Sequence, residues 1–393
     1  MKECIFVVIN SMYGGGAEHA ASRLVTIFEE RYKVIVISLM PQTSQDYYFG
    51  SNIISISDSY KGSLWVQRIY RASRKIDELV AIYNPKAIIS FLQNANLCVT
   101  MGKNKVKKII SIRNFLEAQY KGKKQLLWSI LMKKYFIKAD YIVSVSKLIN
   151  EEMISVYGMP QEKCICIYNL YDVDEIVKLR CEELENDFRK FYETHRVISS
   201  MGRISEQKGH FHLIRVLKLL NEKQSDFGVV IIGNDKDPYA EKVRKLVKDC
   251  GLEKDVLFVG HQTNPYRFVS RSFCYVFPSK YEGFPNALVE AMACGVPVIS
   301  ADCKSGPREI LTDNSDYGIL VDCDPAPFHY ADENYTREEL EIAEAISMFD
   351  SSYETRDKYA KMAFERSKVF SKKNIIGEWY SIIDGVRKIN RRN

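Results

Sequence analysis

Short β-branched apolar runs alternate with stretches of helical period along this chain, and that rhythm constrains its fold more than any other feature. Residues 5–9 read as a strand, 17–30 as a helix and 34–39 as a second strand. Further strands fit 87–92, 108–112 and 141–145, with helices over about 64–83, 123–137 and 147–157 between them. Strands that are apolar on both faces and separated by helices belong to a parallel sheet covered on both sides. The rhythm breaks in the charge-rich stretch between Asp172 and His195. It restarts with strands at 197–201, 228–232, 256–259, 274–277, 298–300 and 319–321. A chain of 393 residues exceeds one ordinary core. The expected architecture is therefore α/β, with two doubly wound, Rossmann-like parallel-sheet domains over 1–172 and 196–373, joined by a linker at 173–195. A last helix within 374–393, carrying Trp379 and Tyr380, is expected to cross back to the first domain. Ligands bind such sheets beyond the carboxyl ends of the strands, so two facing sheets predict a central cleft.

The apolar runs are strand-length. Ile9 is followed at once by Asn10 and Ser11, too soon for a membrane span or a signal-peptide core, which predicts a cytoplasmic chain. Ten cysteines form no CxxC pair, and Cys164 and Cys166 would share one face of a strand, so free thiols in a reducing compartment are expected. A net charge of +6 is too mild to call for nucleic acid.

Two segments carry the chemistry. In the first, a strand ends at Met201 and runs into Gly202-Arg203, with Lys208-Gly209 just before a helix. Glycines admit close backbone approach, a helix N-terminus offers unpaired N–H groups, and two cations complete a site for a diphosphate. In the second, Glu282-Gly283-Phe284-Pro285-Asn286 follows a strand and Glu290 lies in the helix beyond it. A carboxylate accepts two hydrogen bonds from vicinal hydroxyls, so one glutamate reads a hexose and the other a ribose. For Glu290 a capping or salt-bridge role is the alternative.

Together these segments resemble the nucleotide-binding half of the retaining glycosyltransferase family 4, which has the GT-B fold. The likeness rests on Gly202-Arg203, Lys208-Gly209, Pro278-Ser279, the Glu282-x7-Glu290 spacing and Ser305-Gly306-Pro307-Arg308. The first half is similar more loosely, through Tyr13-Gly14-Gly15-Gly16-Ala17-Glu18-His19, Ser144-Val145-Ser146 and Ile167-Tyr168-Asn169. The resemblance implies retaining transfer of a sugar from a nucleotide diphosphate, by family frequency UDP, without a required metal or other cofactor. Arg203, Lys208 and Glu282 would be catalytic. Gly15, Gly16, Gly202, Gly283, Phe284, Pro285, Asn286, Glu290 and His261 would line the donor, with packing an equal alternative for His261. Glu18 would lie on the acceptor side. The family often places a histidine after the strand at 108–112, and here that sugar-side position falls to Arg113 or Asn114. Leu170 replaces the proline that often follows the Tyr-Asn pair. The dialect resembles bacterial enzymes that extend O-antigen, capsule or lipid-linked oligosaccharides, which implies a polyprenyl-diphosphate-linked glycan as acceptor.

Metal-dependent transferases of another fold use Asp-x-Asp, and Asp172/Asp174, Asp235/Asp237 and Asp322/Asp324 have that spacing, but they read as loop carboxylates. Between Lys103 and Lys138 eleven Lys and Arg face one acid, Glu117, and are interleaved with Tyr120, Trp128, Tyr135 and aliphatics. The segment Lys121–Lys138 suits an anionic membrane surface on the inner face of the plasma membrane, or else a half-buried helix packed on the sheet. A nucleotide-sugar epimerase or hydrolase would share the architecture. A basic nucleic-acid-binding or scaffold protein is disfavoured because the site glutamates would repel phosphates. A dehydrogenase is disfavoured because position 19, where G-x-G-x-x-G needs glycine, is His.

Overall fold

The computed structural model describes residues 2–13, 15–43, 47–62, 64–116, 122–222, 226–312, 314–326 and 328–386. Two compact units divide the chain. Unit 1 is Met1–Leu170 with the chain from Lys372 onward, and unit 2 is Tyr171–Ser371.

Unit 1 holds a parallel sheet of seven strands: β1 Cys4–Ile9, β2 Lys33–Ser38, β3 Ile53–Ser55, β4 Ala87–Phe91, β5 Lys107–Ile112, β6 Tyr141–Ser144 and β7 Cys164–Cys166. Their order is β3-β2-β1-β4-β5-β6-β7, so the winding reverses between β1 and β4. Ile5 to Ile9 are wholly buried, as a central strand covered by helices on both faces requires. In register, Ile5 pairs with Val34 on one side and Ala87 on the other.

The last helix, Lys372–Asp384, packs on this unit. Trp379 is 1% exposed, with its ring 6.0 Å from that of Phe28. At the helix end the Asp384 carboxylate accepts hydrogen bonds from Arg31 at 2.5 Å, Tyr32 at 2.9 Å and Lys86 at 2.8 Å. Residues 387–393, the end of the range in which the sequence placed this helix, lie outside the described residues, as do Glu117, Tyr120 and Lys121 of the basic segment.

Unit 2 repeats the plan with six parallel strands: β8 Arg196–Met201, β9 Phe227–Ile232, β10 Val256–Gly260, β11 Cys274–Phe277, β12 Val298–Ala301 and β13 Ile319–Val321. Their order, β10-β9-β8-β11-β12-β13, reverses between β8 and β11.

The segment 173–195 is not a linker. It forms helices Val173–Leu179 and Asn186–Thr194 and belongs to unit 2. Its charges conceal an aromatic stripe at helical spacing, Phe188, Phe191 and Tyr192. The Phe188 ring meets Phe268 edge-on at 5.2 Å, and the Tyr192 hydroxyl donates to the Phe268 carbonyl at 3.0 Å. Glu185 pairs with Arg267 at 2.8 Å and Glu182 accepts from Asn264 at 2.9 Å. Glu185 and Glu182 thus help fasten the segment to the rest of unit 2.

Candidate active site

In unit 2 the two motif loops leave the carboxyl ends of β8 and β11, the neighbouring strands between which the winding reverses. That is where an open α/β sheet leaves a crevice for a ligand. Gly202, with φ +149°, turns the chain out of β8, and a Cβ added there would meet the Lys208 side chain at 3.3 Å. A short turn, Glu206–Lys208, leads to Gly209 at φ +62°, which opens the helix His210–Asn221. A Cβ on Gly209 would lie 2.1 Å from the Pro278 carbonyl oxygen, so only glycine lets the two loops close to this distance.

Hydrogen bonds lace the loops together. The Lys280 N–H donates to the Gln207 carbonyl at 2.9 Å, and the Gln207 side-chain amide donates to the Tyr281 carbonyl at 2.8 Å. Lys208 Nζ then reaches Glu282 Oε1 at 2.6 Å, and Ser279 Oγ donates to the same oxygen at 2.6 Å. The Lys208 and Glu282 side chains are 20% and 12% exposed, shielded yet reachable. Arg203 is exposed and makes no ion pair among the described residues. The cluster thus presents two cations and one carboxylate, with one cation already held in place.

Beyond Glu282, Gly306 at φ +91° packs its backbone on Pro285, and Ser305 Oγ donates to the Gly283 carbonyl at 2.9 Å. Phe284 is buried against Phe370, with ring centroids 5.4 Å apart. Pro285 precedes the helix Asn286–Ala293, whose first residue accepts a 2.7 Å hydrogen bond from the buried Tyr171 hydroxyl. Glu290 lies in this helix, 7% exposed. His261 is exposed just past β10, two strands and so about 10 Å along the sheet from β8. It stands at the same carboxyl edge but outside the Lys208–Glu282 cluster.

In unit 1 the loop after β1 leads to Gly15, which caps the helix Gly16–Arg31 without a side-chain hydrogen bond. A Cβ on Gly15 would meet Glu18 Oε2 at 2.7 Å, so the Glu18 carboxylate folds back over the start of the helix. Gly14 lies outside the described residues. His19 stacks on Tyr47 at 5.0 Å. Arg113, at the carboxyl end of β5, is 6% exposed and donates to Asn169 Oδ1 at 2.5 Å above the Phe91 ring. One hydrogen bond thus joins Arg113, at the position where the family often has histidine, to Asn169, the residue before Leu170. Asn114 beside it is half-buried.

Two family models match the chain, Glycosyltransferase Family 4 over residues 14–175 and Glycosyl transferases group 1 over 182–333. An uncharacterized glycosyltransferase of Methanocaldococcus jannaschii is 30% identical over 388 residues, covering 92% of this chain and 95% of its own. The chain belongs to the family 4 glycosyltransferases.

A second relative of this glycosyltransferase, from Campylobacter jejuni, is 26% identical, with 92% of this chain and 96% of its own covered. It is an N-acetylgalactosamine-N,N'-diacetylbacillosaminyl-diphospho-undecaprenol 4-alpha-N-acetylgalactosaminyltransferase. Among solved structures, Anabaena HepE in complex with UDP superposes with a TM-score of 0.76 at 18% identity, covering 98% of this chain and 100% of its own. The two sheets described above are those of the GT-B fold.

Burial sets the charge states around the two loops. His210, wholly buried after Gly209, is pushed down to about 3 by burial and then by the Lys208 charge, so it is neutral. The Lys280 ammonium is lowered, again chiefly by burial. The Asp-x-Asp carboxylates are engaged within the protein. Asp172 accepts from the Glu175 N–H at 3.0 Å and Asp235 pairs with Arg244. Asp237 accepts from the Tyr239 N–H at 2.9 Å, Asp322 pairs with Arg337 at 3.0 Å and Asp324 with His329 at 2.6 Å. Sequence reasoning missed Gln207, Ser279 as a partner of Glu282, and Tyr171 under Asn286. Ser279 had a signal in its place within the Pro278–Pro285 motif, whereas Gln207 and Tyr171 had none.

Proposed function

We propose that this glycosyltransferase moves a sugar, with retention, from a UDP-sugar to a polyprenyl-diphosphate-linked glycan in bacterial surface polysaccharide synthesis, of the O-antigen or capsule kind. The observation that carries the reading is the Lys208–Glu282 pair beside exposed Arg203 at the β8/β11 switch point. Cleaving a glycosyl–phosphate bond develops negative charge on the leaving diphosphate. Cations fixed there beforehand stabilise the transition state, each worth roughly 10²–10³ in rate.

Glu282 holds Lys208 in position and offers its second oxygen to a sugar hydroxyl. The backbone N–H of Phe284 assists the diphosphate, and Glu290 accepts from the ribose. The leaving phosphate takes the acceptor's proton in a same-face displacement, and no metal takes part. The UDP complex of HepE supports the choice of base, and the undecaprenol-linked substrate of the Campylobacter relative supports the acceptor class. Such an acceptor would bring the enzyme to the cytoplasmic leaflet, with the basic segment Lys121–Lys138 toward the lipid.

Lys208→Ala should nearly abolish transfer from UDP-sugars to lipid-linked acceptors while keeping the wild-type melting curve, and EDTA should leave the wild-type rate unchanged. Undiminished turnover of the variant would sink the assignment. Release of free sugar at one rate with or without acceptor would mark a hydrolase instead.

A further inference from the structure

A cavity of about 380 Å³ opens at the end of the unit 2 sheet opposite the motif loops. Arg196 and Val197 begin β8, Phe273 directly precedes β11 and Pro297 directly precedes β12. The amino ends of these three parallel strands therefore floor the cavity. The start of the helix Tyr353–Val369, with Tyr353 and Arg356, forms a wall. β8 has 6 residues, which puts the cavity roughly 20 Å from Gly202.

Arg196, Arg271 and Arg356 line it, and Asp357, an acid on the same wall, is taken up by exposed Lys361 at 2.7 Å. Two of the arginines are engaged. Arg196 meets Asp226 at 2.5 Å and also Asp350, while Arg271 donates to the Arg267 carbonyl at 2.8 Å and lies 3.7 Å from Glu183. Arg356 differs. Half-buried, it makes no ion pair and no side-chain hydrogen bond among the described residues. Its guanidinium lies 4.7 Å from the Phe273 ring centre and 5.1 Å from that of Tyr353. Ring faces hold the cation in place without using its N–H donors. Arg196 approaches the same Phe273 ring at 5.8 Å, so two cations stand around one ring at the cavity floor. Stacking alone accounts for where the Arg356 guanidinium sits, but not for the cavity that it lines.

A planar fork of unspent N–H groups matches the oxygens of a phosphate bidentately. The helix N-terminus adds partial positive charge on that wall, where Ser352 Oγ accepts from the Thr355 N–H at 3.1 Å. Tyr353, 71% exposed, offers a ring face beside the cation. The volume lies near the low end of the range of about 300–1,000 Å³ for ligand pockets, which suits a small ligand. We propose that this cavity binds a small phosphate monoester carrying one ring, with Arg356 receiving the phosphate and Tyr353 the ring. The site is separate from the Lys208–Glu282 cluster and does not depend on the reaction assigned to it.

The test is isothermal titration calorimetry of the full chain with ribose 5-phosphate, phenyl phosphate or inorganic phosphate. At least one ring-bearing probe should bind about tenfold or more tightly than inorganic phosphate, and the tighter of the two identifies the ring as sugar or aromatic. Arg356→Gln should weaken that binding about tenfold or more, and Tyr353→Ala severalfold, each with the wild-type melting temperature. Because Tyr353 is exposed, its variant tests the site even where loss of Arg356 harms the fold. Lys208→Ala should bind the same probe as the wild type does. Affinity for both ring-bearing probes no better than for inorganic phosphate overturns the ring contact and with it the proposal. Binding that survives Arg356→Gln but is lost in Lys208→Ala places the ligand at the motif loops and overturns it as well. A wild type that binds none of the three probes does the same.

Discussion

Replacing Gly209 by alanine tests whether the spacing of the loops after β8 and β11 sets the rate. The residue sits at φ +62°, where a side chain costs about 1–2 kcal/mol of backbone strain. Its added Cβ would lie 2.1 Å from the Pro278 oxygen. Carbon and oxygen settle no closer than about 3.3 Å, so the loops must part by roughly 1.2 Å. The Lys208–Glu282 contact spans the same two loops at 2.6 Å. Opened by that amount it passes roughly 3.5 Å and ceases to be a hydrogen bond. A misplacement of about 1 Å at a reacting centre costs on the order of 10² in rate. The expected outcome is a kcat lowered about 10²-fold, with a stability loss of about 2–3 kcal/mol. Gly251→Ala supplies the control, because that residue has φ +68° with nothing within 4 Å of a Cβ. It should show the backbone cost alone and full turnover. Transfer rates at saturating donor and acceptor, paired with urea midpoints, read both terms. If Gly209→Ala turns over as fast as Gly251→Ala, the close approach of the loops does not matter to catalysis and the reasoning fails.

Trp379→Ala should cost unit 1 about 3–5 kcal/mol in urea unfolding, because the ring is buried between Phe28 and Phe91 and its loss frees the last helix. Glu338 predicts a pH effect. Burial first, then the Asp324 and Glu339 charges, push its carboxyl up to about 8, against the opposing pull of the hydrogen bond from the Asp324 N–H and of Lys280, while the neutral ring of His212 lies 3.6 Å away. The folded form therefore binds a proton that the unfolded form releases near 4.5, so stability falls as pH rises from about 4.5 through 8. Each unit costs at most about 1.4 kcal/mol. Glu338→Gln, which keeps an acceptor for the 2.6 Å bond from the Asp324 N–H, should remove that slope. Urea midpoints at pH 5.5 and 8 that shift equally in both proteins would refute it.

The sheets were legible because a strand buried on both faces must be apolar throughout, and runs such as Ile5–Ile9 have no other soluble use. The elements that escaped notice violate that simple code. The helix Gln93–Met101 buries Gln93, Asn96 and Thr100, polar residues whose burial erases the apolar period. The Asn96 side chain finds its partners on the neighbouring strands, accepting from Ser90 Oγ at 2.8 Å and donating to the Ser111 carbonyl at 2.9 Å. The strand Ile53–Ser55 is a three-residue edge, below the length at which alternation can be read. Residues 173–195 misled through composition, since two of their acids, Glu185 and Glu182, meet Arg267 and Asn264, a cation and an amide that only the fold brings near.

The candidate site divides along the same line. The residue types that the proposed site calls for are visible locally, because a diphosphate needs fixed positive charge at a strand end and a sugar needs a carboxylate, and few residues supply either. Pairing was not. Glu282 looked free for a ligand, yet it meets Lys208, 74 residues away, through loops that approach only because Gly209 lacks a side chain. Arg113 likewise turns to Asn169, 56 residues on, a partner no local pattern announces. This alters the expected division of labour. On the proposed reading, Glu282 with one oxygen committed is first a positioning group for the cation and only then a reader of hydroxyls, so Glu282→Gln should weaken the hold on Lys208 before it changes which sugar is preferred. A variant with an unchanged rate but a switched donor sugar would reverse that order.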